Sequence, residues 1–84
     1  MFGNNQLHEL IETLLNIRTK EDMKDFLLGI LTPKELEEIP TRLQIVKKLK
    51  KGTAQHKVAK DLGVGIATVT RGSKELQKGR FKTV

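Results

Sequence analysis

A chain of 84 residues without a single cysteine has few ways to become stable. A single chain of this size buries only a little over about 60% of the surface it exposes when unfolded. Small folds commonly make up the deficit with disulfides, metals or a partner. The lack of cysteine removes disulfides and thiolate zinc sites. The two histidines, His8 and His56, lie far apart in sequence and form no ligand pair at helical spacing. Association with a second copy is the remedy that remains.

The apolar residues recur with helical spacing throughout. Leu7, Leu10, Ile11, Leu14 and Leu15 form one stripe and predict a first helix over roughly 4–17. Thr19 stands before Lys20-Glu21-Asp22 as an N-cap with acids in the first turn. The helix it opens carries Met23, Phe26, Leu27, Ile30 and Leu31, and Gly29 weakens its end. Thr32-Pro33-Lys34-Glu35 is a second start signal: a capping Thr, a proline at the first helical position and a glutamate able to bond back to the cap. Pro40 lacks an amide donor and biases Ile39 away from helix, so this third helix should be short. Thr41 then caps a fourth, about 42–50, with Leu43, Ile45, Val46 and Leu49 inward and Lys47, Lys48, Lys50 and Lys51 mostly outward. Gly52 ends it. Thr53 caps a fifth helix over 54–61. Gly63 and Gly65 make a turn, and a sixth helix over about 66–77 presents Ile66, Val69 and Leu76 as its apolar face. Residues 78–84 are basic, lack a core pattern and read as a frayed tail. The fold class is therefore all-α and the chain 1–84 a single domain. Residues 1–52 form dimerisation core helices, 53–77 a helix-turn-helix and 78–84 the basic tail.

Charge separates the same halves. Residues 1–41 hold four basic and eight acidic side chains, whereas residues 42–84 hold twelve basic and two acidic ones. A strongly positive C-terminal half suits a polyanion, and nucleic acid is the usual one. A solvated basic face on a helical protein-interaction module is the alternative. No apolar run reaches the roughly 18 residues of a membrane span. The first ten residues lack the basic start and apolar stretch of a signal peptide. A cytoplasmic location without membrane attachment is the expectation. No nucleophile stands beside a base, and there is no phosphate loop or metal-ligand cluster, so an enzyme is the least supported reading. Adjacent helical residues such as Glu37 and Glu38 point about 100° apart and make no acid/base pair.

The segment from Gln55 to Ser73 reads as a helix-turn-helix. Two short helices crossing closely need a small residue on the inside, here Ala59, and a turn residue tolerant of positive φ, here Gly63. Apolar anchors are needed on both sides: Val58, Leu62, Val64 and Val69. The second helix opens Ile66-Ala67-Thr68-Val69-Thr70-Arg71, small and polar on its outer side. Thr hydroxyls can meet base edges or phosphates, and Ala and Thr methyls the thymine methyl. Free amides at the helix start attract phosphate. Lys57, Lys60, Arg71 and Lys74 can pair with the DNA backbone. His56 is read as solvated or phosphate-facing, and His8 as a surface residue.

Two stretches, Leu31-Thr-Pro-Lys-Glu-Leu-Glu-Glu-Ile-Pro-Thr-Arg-Leu-Gln-Ile-Val and Leu62-Gly-Val-Gly-Ile-Ala-Thr-Val-Thr-Arg-Gly-Ser, resemble the Trp repressor family. The similarity covers about residues 26–77; residues 1–25 match only as helical pattern. The resemblance implies a multi-helix intertwined homodimer whose two helix-turn-helix heads read a double-stranded DNA operator. It also implies L-tryptophan as corepressor, wedged between core and head. The family's tryptophan-binding positions fall on Thr32, Arg42, Arg71 and Gly72, with Glu75 where the family has a serine near the ligand ammonium. Two guanidinium planes can sandwich an indole, and one can also hold a carboxylate. The family's DNA contacts fall on Gln55, His56, Gly65, Ile66, Ala67, Thr68, Thr70 and Arg71, and its base contacts run largely through water. The chain departs from the family pattern elsewhere. The loop Gly52-Thr53-Ala54 is one residue shorter, Ala59 and Gln77 replace lysines, and the family's last helix has no counterpart before Val84. These departures, with Glu75, keep open a DNA-binding relative that does not depend on tryptophan.

Overall fold

The computed structural model describes residues 4–84. Over that span the chain forms five helices: α1 (Asn4–Asn16), α2 (Lys20–Ile30), α3 (Pro33–Lys50), α4 (Gln55–Leu62) and α5 (Ile66–Gln77). No strand occurs among the described residues, as an all-α class requires. Two compact units divide the chain, one ending at Leu36 and one running Glu37–Val84.

In the first unit, side-chain chemistry sets where helices begin. Thr19 is extended (φ −120, ψ 155) and its hydroxyl accepts from the Asp22 amide at 3.0 Å, capping α2. At the start of α3 the Glu35 amide donates to Thr32 Oγ1 (3.2 Å) and the Thr32 amide donates to Glu35 Oε1 (2.8 Å). That reciprocal box satisfies two amides that the helix itself cannot. Packing is much weaker than capping here. α2 buries no side chain, and Leu7, Leu10, Ile11, Leu15, Leu28 and Ile30 all remain exposed, Leu15 to 76%.

The second unit holds the core. Ile45 and Val46 on α3, Val58 on α4 and Val69 on α5 are buried. Leu49, Ala59, Leu62 and Val64 pack around the cluster of Ile45, Val58 and Val69. Burying each aliphatic side chain contributes about 1.5–3 kcal/mol. Gly72 lets α5 approach α3: a Cβ built there would stand 3.2 Å from Ile45 Cγ2 and 3.8 Å from Leu49 Cδ1.

Six expectations need correction. Pro40 does not end a helix; α3 runs through it. A proline inside a helix removes one rung and costs about 3 kcal/mol or more. The stretch before it is fixed by the capping box, however, and the stretch after it by burial of Ile45 and Val46. Thr41 accordingly caps nothing, and its hydroxyl donates to the Glu37 carbonyl at 2.9 Å, the back-bond typical of a helix interior. Thr53 does not cap α4 either; the N-cap is Ala54. The Thr53 amide is already committed to the Lys48 carbonyl (3.1 Å) and that of Gly52 to Leu49 (3.0 Å), which closes α3 as a Schellman motif. Leu43 and Ile66 are exposed, not inward, because Leu43 lies about 200° around α3 from Ile45 and Ile66 sits at the open first turn of α5. The tail is not frayed: the Gly79 amide bonds to Leu76 (3.0 Å) and that of Arg80 to Glu75 (3.1 Å), again a Schellman closure, with Gly79 at φ 92.

Candidate nucleic-acid interface and ligand pocket

α4 and α5 meet through a short turn, Gly63 to Gly65. Gly63 is left-handed (φ 65, ψ 36) and its amide and that of Val64 reach back to the Lys60 and Ala59 carbonyls at 3.3 and 3.0 Å. The chain reverses within three residues because one of them lacks a Cβ to clash. Val64 then drops into the core edge and Gly65 (φ −71, ψ 150) starts α5.

The starts of these two helices differ from those of α2 and α3. Neither Ala54 nor Gly65 provides a side-chain cap. The Lys57 and Thr68 amides, third in each helix, bond back to the Ala54 and Gly65 carbonyls at 3.1 Å. The amides of the first two residues of α4 and α5 are left to solvent or to a ligand, and a helix N-terminus in that state favours an anion. His56, Gly65, Ile66, Ala67, Thr68 and Arg71 are all exposed around these two ends. Gln55 and Thr70 are half-buried and joined, Thr70 Oγ1 donating to Gln55 Oε1 at 2.9 Å. That bond ties the first turn of α4 to the second turn of α5. Of the lysines proposed to face phosphate, Lys57 is engaged by Asp61 at 3.3 Å, and Lys48 stands 3.8 Å from the same carboxylate. Exposed pairs of this kind contribute at most about 1 kcal/mol, so phosphate could compete for Lys57.

Beside this surface lies a cavity of about 560 Å³, within the usual size for a small-molecule site. Arg42, Ile45 and Val46 of α3 line it, with Ala67, Thr68, Arg71, Gly72 and Glu75 of α5 and Arg80 and Phe81 beyond α5. Four of the five sequence-assigned ligand residues are thus brought together: Arg42, Arg71, Gly72 and Glu75. The fifth, Thr32, belongs to the first unit, where it holds the capping box with Glu35. Ala67, Thr68 and Arg71 belong to the cavity lining and to the set assigned to DNA.

Charge at the cavity is dominated by arginines, with Glu75 opposing them. Lys78 Nζ donates to Glu75 Oε2 at 3.0 Å, and Arg80 Nε stands 3.4 Å from Glu75 Oε1. The Lys78 hydrogen bond holds the Glu75 carboxyl below its ordinary pKa; desolvation opposes this, and the charges of Lys78, Arg80 and Arg71 add to it. Arg80 and Phe81 were missed by sequence reasoning. The available signal was Gly79, a helix-ending glycine followed by a lone aromatic in a basic stretch. Phe81 itself sits at φ 63, a left-handed conformation that costs a non-glycine residue about 1–2 kcal/mol. Lys50 Nζ holds the segment by donating to the main-chain oxygens of Phe81 and, at 2.9 Å, of Val84.

A profile of the Trp repressor protein family matches residues 5–82. The chain belongs to the Trp repressor family. A Trp operon repressor homolog of Vibrio vulnificus (strain YJ016) is 44% identical over 69 residues, covering 80% of this chain and 68% of its own. Homologs with the same description are similar from Vibrio campbellii (39% over 88 residues, 96% and 73% covered) and Xylella fastidiosa strain M23 (38% over 74 residues, 87% and 80% covered). Trp repressor membership places the chain among DNA-binding regulators of transcription, not enzymes. No helix among the described residues is long and apolar enough to cross a membrane.

Proposed function

We propose that this protein is a sequence-specific transcriptional repressor that binds a palindromic DNA operator as a homodimer and uses L-tryptophan as corepressor. The observation that carries the reading is that the uncapped first turn of α5, through Ala67 and Thr68, lines the same cavity as Arg42 and Arg71. In this reading α5 enters the major groove, with Thr68 and Thr70 toward the bases and the amides at the starts of α4 and α5 toward phosphate. Arg42 and Arg71 stack on the indole and take the carboxylate, and Glu75 faces the ammonium. A ligand there wedges α5 against α3 and fixes the angle of the head. In a dimer that angle sets the separation of the two reading helices, which must match about 34–36 Å, one turn of DNA. Tryptophan strengthens DNA binding to the extent that it favours the competent angle. The exposed stripe of α1 and α2 supplies the apolar surface that a second copy would cover, and Thr32 would act from its place at the start of α3. The protein would work in the cytoplasm.

Calorimetric titration of L-tryptophan, with and without operator DNA, tests this directly. Binding heat and a gain in DNA affinity are expected; no heat and no gain would remove the corepressor. One observation favours a tryptophan-independent regulator: both Glu75 oxygens already have cationic partners in the same chain. Equal operator affinity with and without tryptophan would select that reading. DNA affinity that hardly changes with salt would instead favour a protein-interaction module. Contact with six or more phosphates should weaken binding about 1,000-fold or more between about 50 and 200 mM salt.

A further inference from the structure

The cavity is completed by a segment that helical periodicity does not reach. Arg80 and Phe81 line it from beyond α5. Three devices hold them there: the Schellman closure at Gly79, the Arg80–Glu75 ion pair, and Lys50 reaching across from α3 to the main-chain oxygens of Phe81 and Val84. The anchor lies 31 positions away in sequence from Phe81. A left-handed phenylalanine beside a cavity is a conformation that persists only where surrounding contacts enforce it.

We propose that Arg80 and Phe81 form a strap that determines which ligand the cavity accepts. The inference rests on the cavity being an amino-acid site. Among the described residues Phe81 supplies the only aromatic surface of the lining, and it packs against the edge of the ligand's ring, whose two faces are left to Arg42 and Arg71. Arg80 occupies Glu75 Oε1, while Lys78 occupies Oε2. A ligand ammonium therefore reaches Glu75 only by displacing Arg80 or Lys78, whereas among the described residues neither Arg42 nor Arg71 is held in an ion pair within 4.0 Å that a ligand carboxylate would have to break. The strap thus penalises ammonium-bearing ligands relative to their deaminated analogues. The cavity's intended occupant is a zwitterion with an aromatic side chain whose other contacts outweigh that penalty.

The test is calorimetry on the full chain with three probes: L-tryptophan, tryptamine and indole-3-propionate. Arg80→Gln should tighten L-tryptophan and tryptamine about two- to five-fold, the range of a half-exposed ion pair, and should not tighten indole-3-propionate. Phe81→Ala should weaken all three by about three- to ten-fold, the range of an aromatic contact. Lys50→Gln changes no lining residue and should follow Phe81→Ala in direction; it also serves if Phe81→Ala disturbs the fold. If the wild type binds L-tryptophan and the three variants bind every probe as it does, the strap is overturned and the amino-acid site stands. If the wild type binds none of the probes, the site reading fails and the strap with it.

Discussion

Gly63 and Gly65 stand two residues apart in one turn, yet alanine should act on them in opposite directions. Gly63 has φ +65, Gly65 has φ −71, and a Cβ built on either meets nothing within 4 Å. Sterics with neighbours therefore cancel from the comparison, leaving only the backbone. Gly63→Ala places an L-residue in the left-handed region and should cost about 1–2 kcal/mol. Gly65→Ala keeps an ordinary extended conformation and restricts the unfolded chain, which should stabilise by about 0.4–1 kcal/mol. The two variants should differ by roughly 1.4–3 kcal/mol, from adding those two ranges. Urea titration followed by far-ultraviolet circular dichroism resolves that difference as displaced midpoints at equal slope. In heating, each kcal/mol should move Tm by about 4–8 °C for a domain of this size. Equal midpoints, or a Gly65→Ala variant the less stable of the two, would refute the assignment of the turn's reversal to Gly63 alone. Gly65→Ala separates stability from function as well, because it adds a methyl at the start of α5, where DNA is proposed to approach. A more stable protein that binds operator less tightly is the expected outcome.

Other perturbations follow from the same geometry. Val69 is fully buried between α3, α4 and α5, so Val69→Ala should destabilise by about 2–3 kcal/mol through lost transfer energy and a residual cavity, measured by the same urea titration. Glu75 has a folded pKa below its unfolded one, mainly through the Lys78 hydrogen bond. Its stabilising contribution is therefore complete above the ordinary carboxylate value and is lost as pH falls from there through the lower folded value. Glu75→Gln should flatten the acid limb of a stability-against-pH curve in that window and leave it unchanged at neutral pH in slope. Leu15 is 76% exposed in the single chain, so Leu15→Glu should leave a lone chain's helicity intact. If a second copy covers that stripe, sedimentation should show dimer dissociation about 30-fold easier or more, from roughly 2 kcal/mol or more of lost burial. An unchanged dimer would exclude Leu15 from the interface.

Local chemistry was legible in the sequence wherever one residue decides one dihedral or one hydrogen bond. Thr19, the Thr32–Glu35 box and Gly63 act within a turn of themselves and behave as their residue types dictate. The buried side of α3 and α4 was legible where apolar residues share a face, as Ile45, Val46 and Val58 do. Pro40 was misread because a local prohibition of about 3 kcal/mol was weighed without the stabilised helix on both sides of it. Leu43 was misplaced because membership of an apolar set was taken for direction around the axis. Arg42, Arg71, Gly72 and Glu75 line one cavity, and it was the family resemblance, not periodicity, that grouped them in the sequence. Arg80 and Phe81 escaped because a contact from Lys50, 31 positions away, leaves no period to detect.

The hydrogen bond between Thr70 and Gln55 has a consequence for how such a regulator could diverge. Both side chains belong to the surface proposed to read DNA, and each is the other's internal support. If that surface reads DNA, a change at either position would alter DNA contact and the link between α4 and α5 together, so neither could drift alone without loosening that link. Ile66 and Thr68 are exposed on the same helix and carry no such obligation. New operator preferences should therefore arise first at 66 and 68, while 55 and 70 change as a matched pair or not at all.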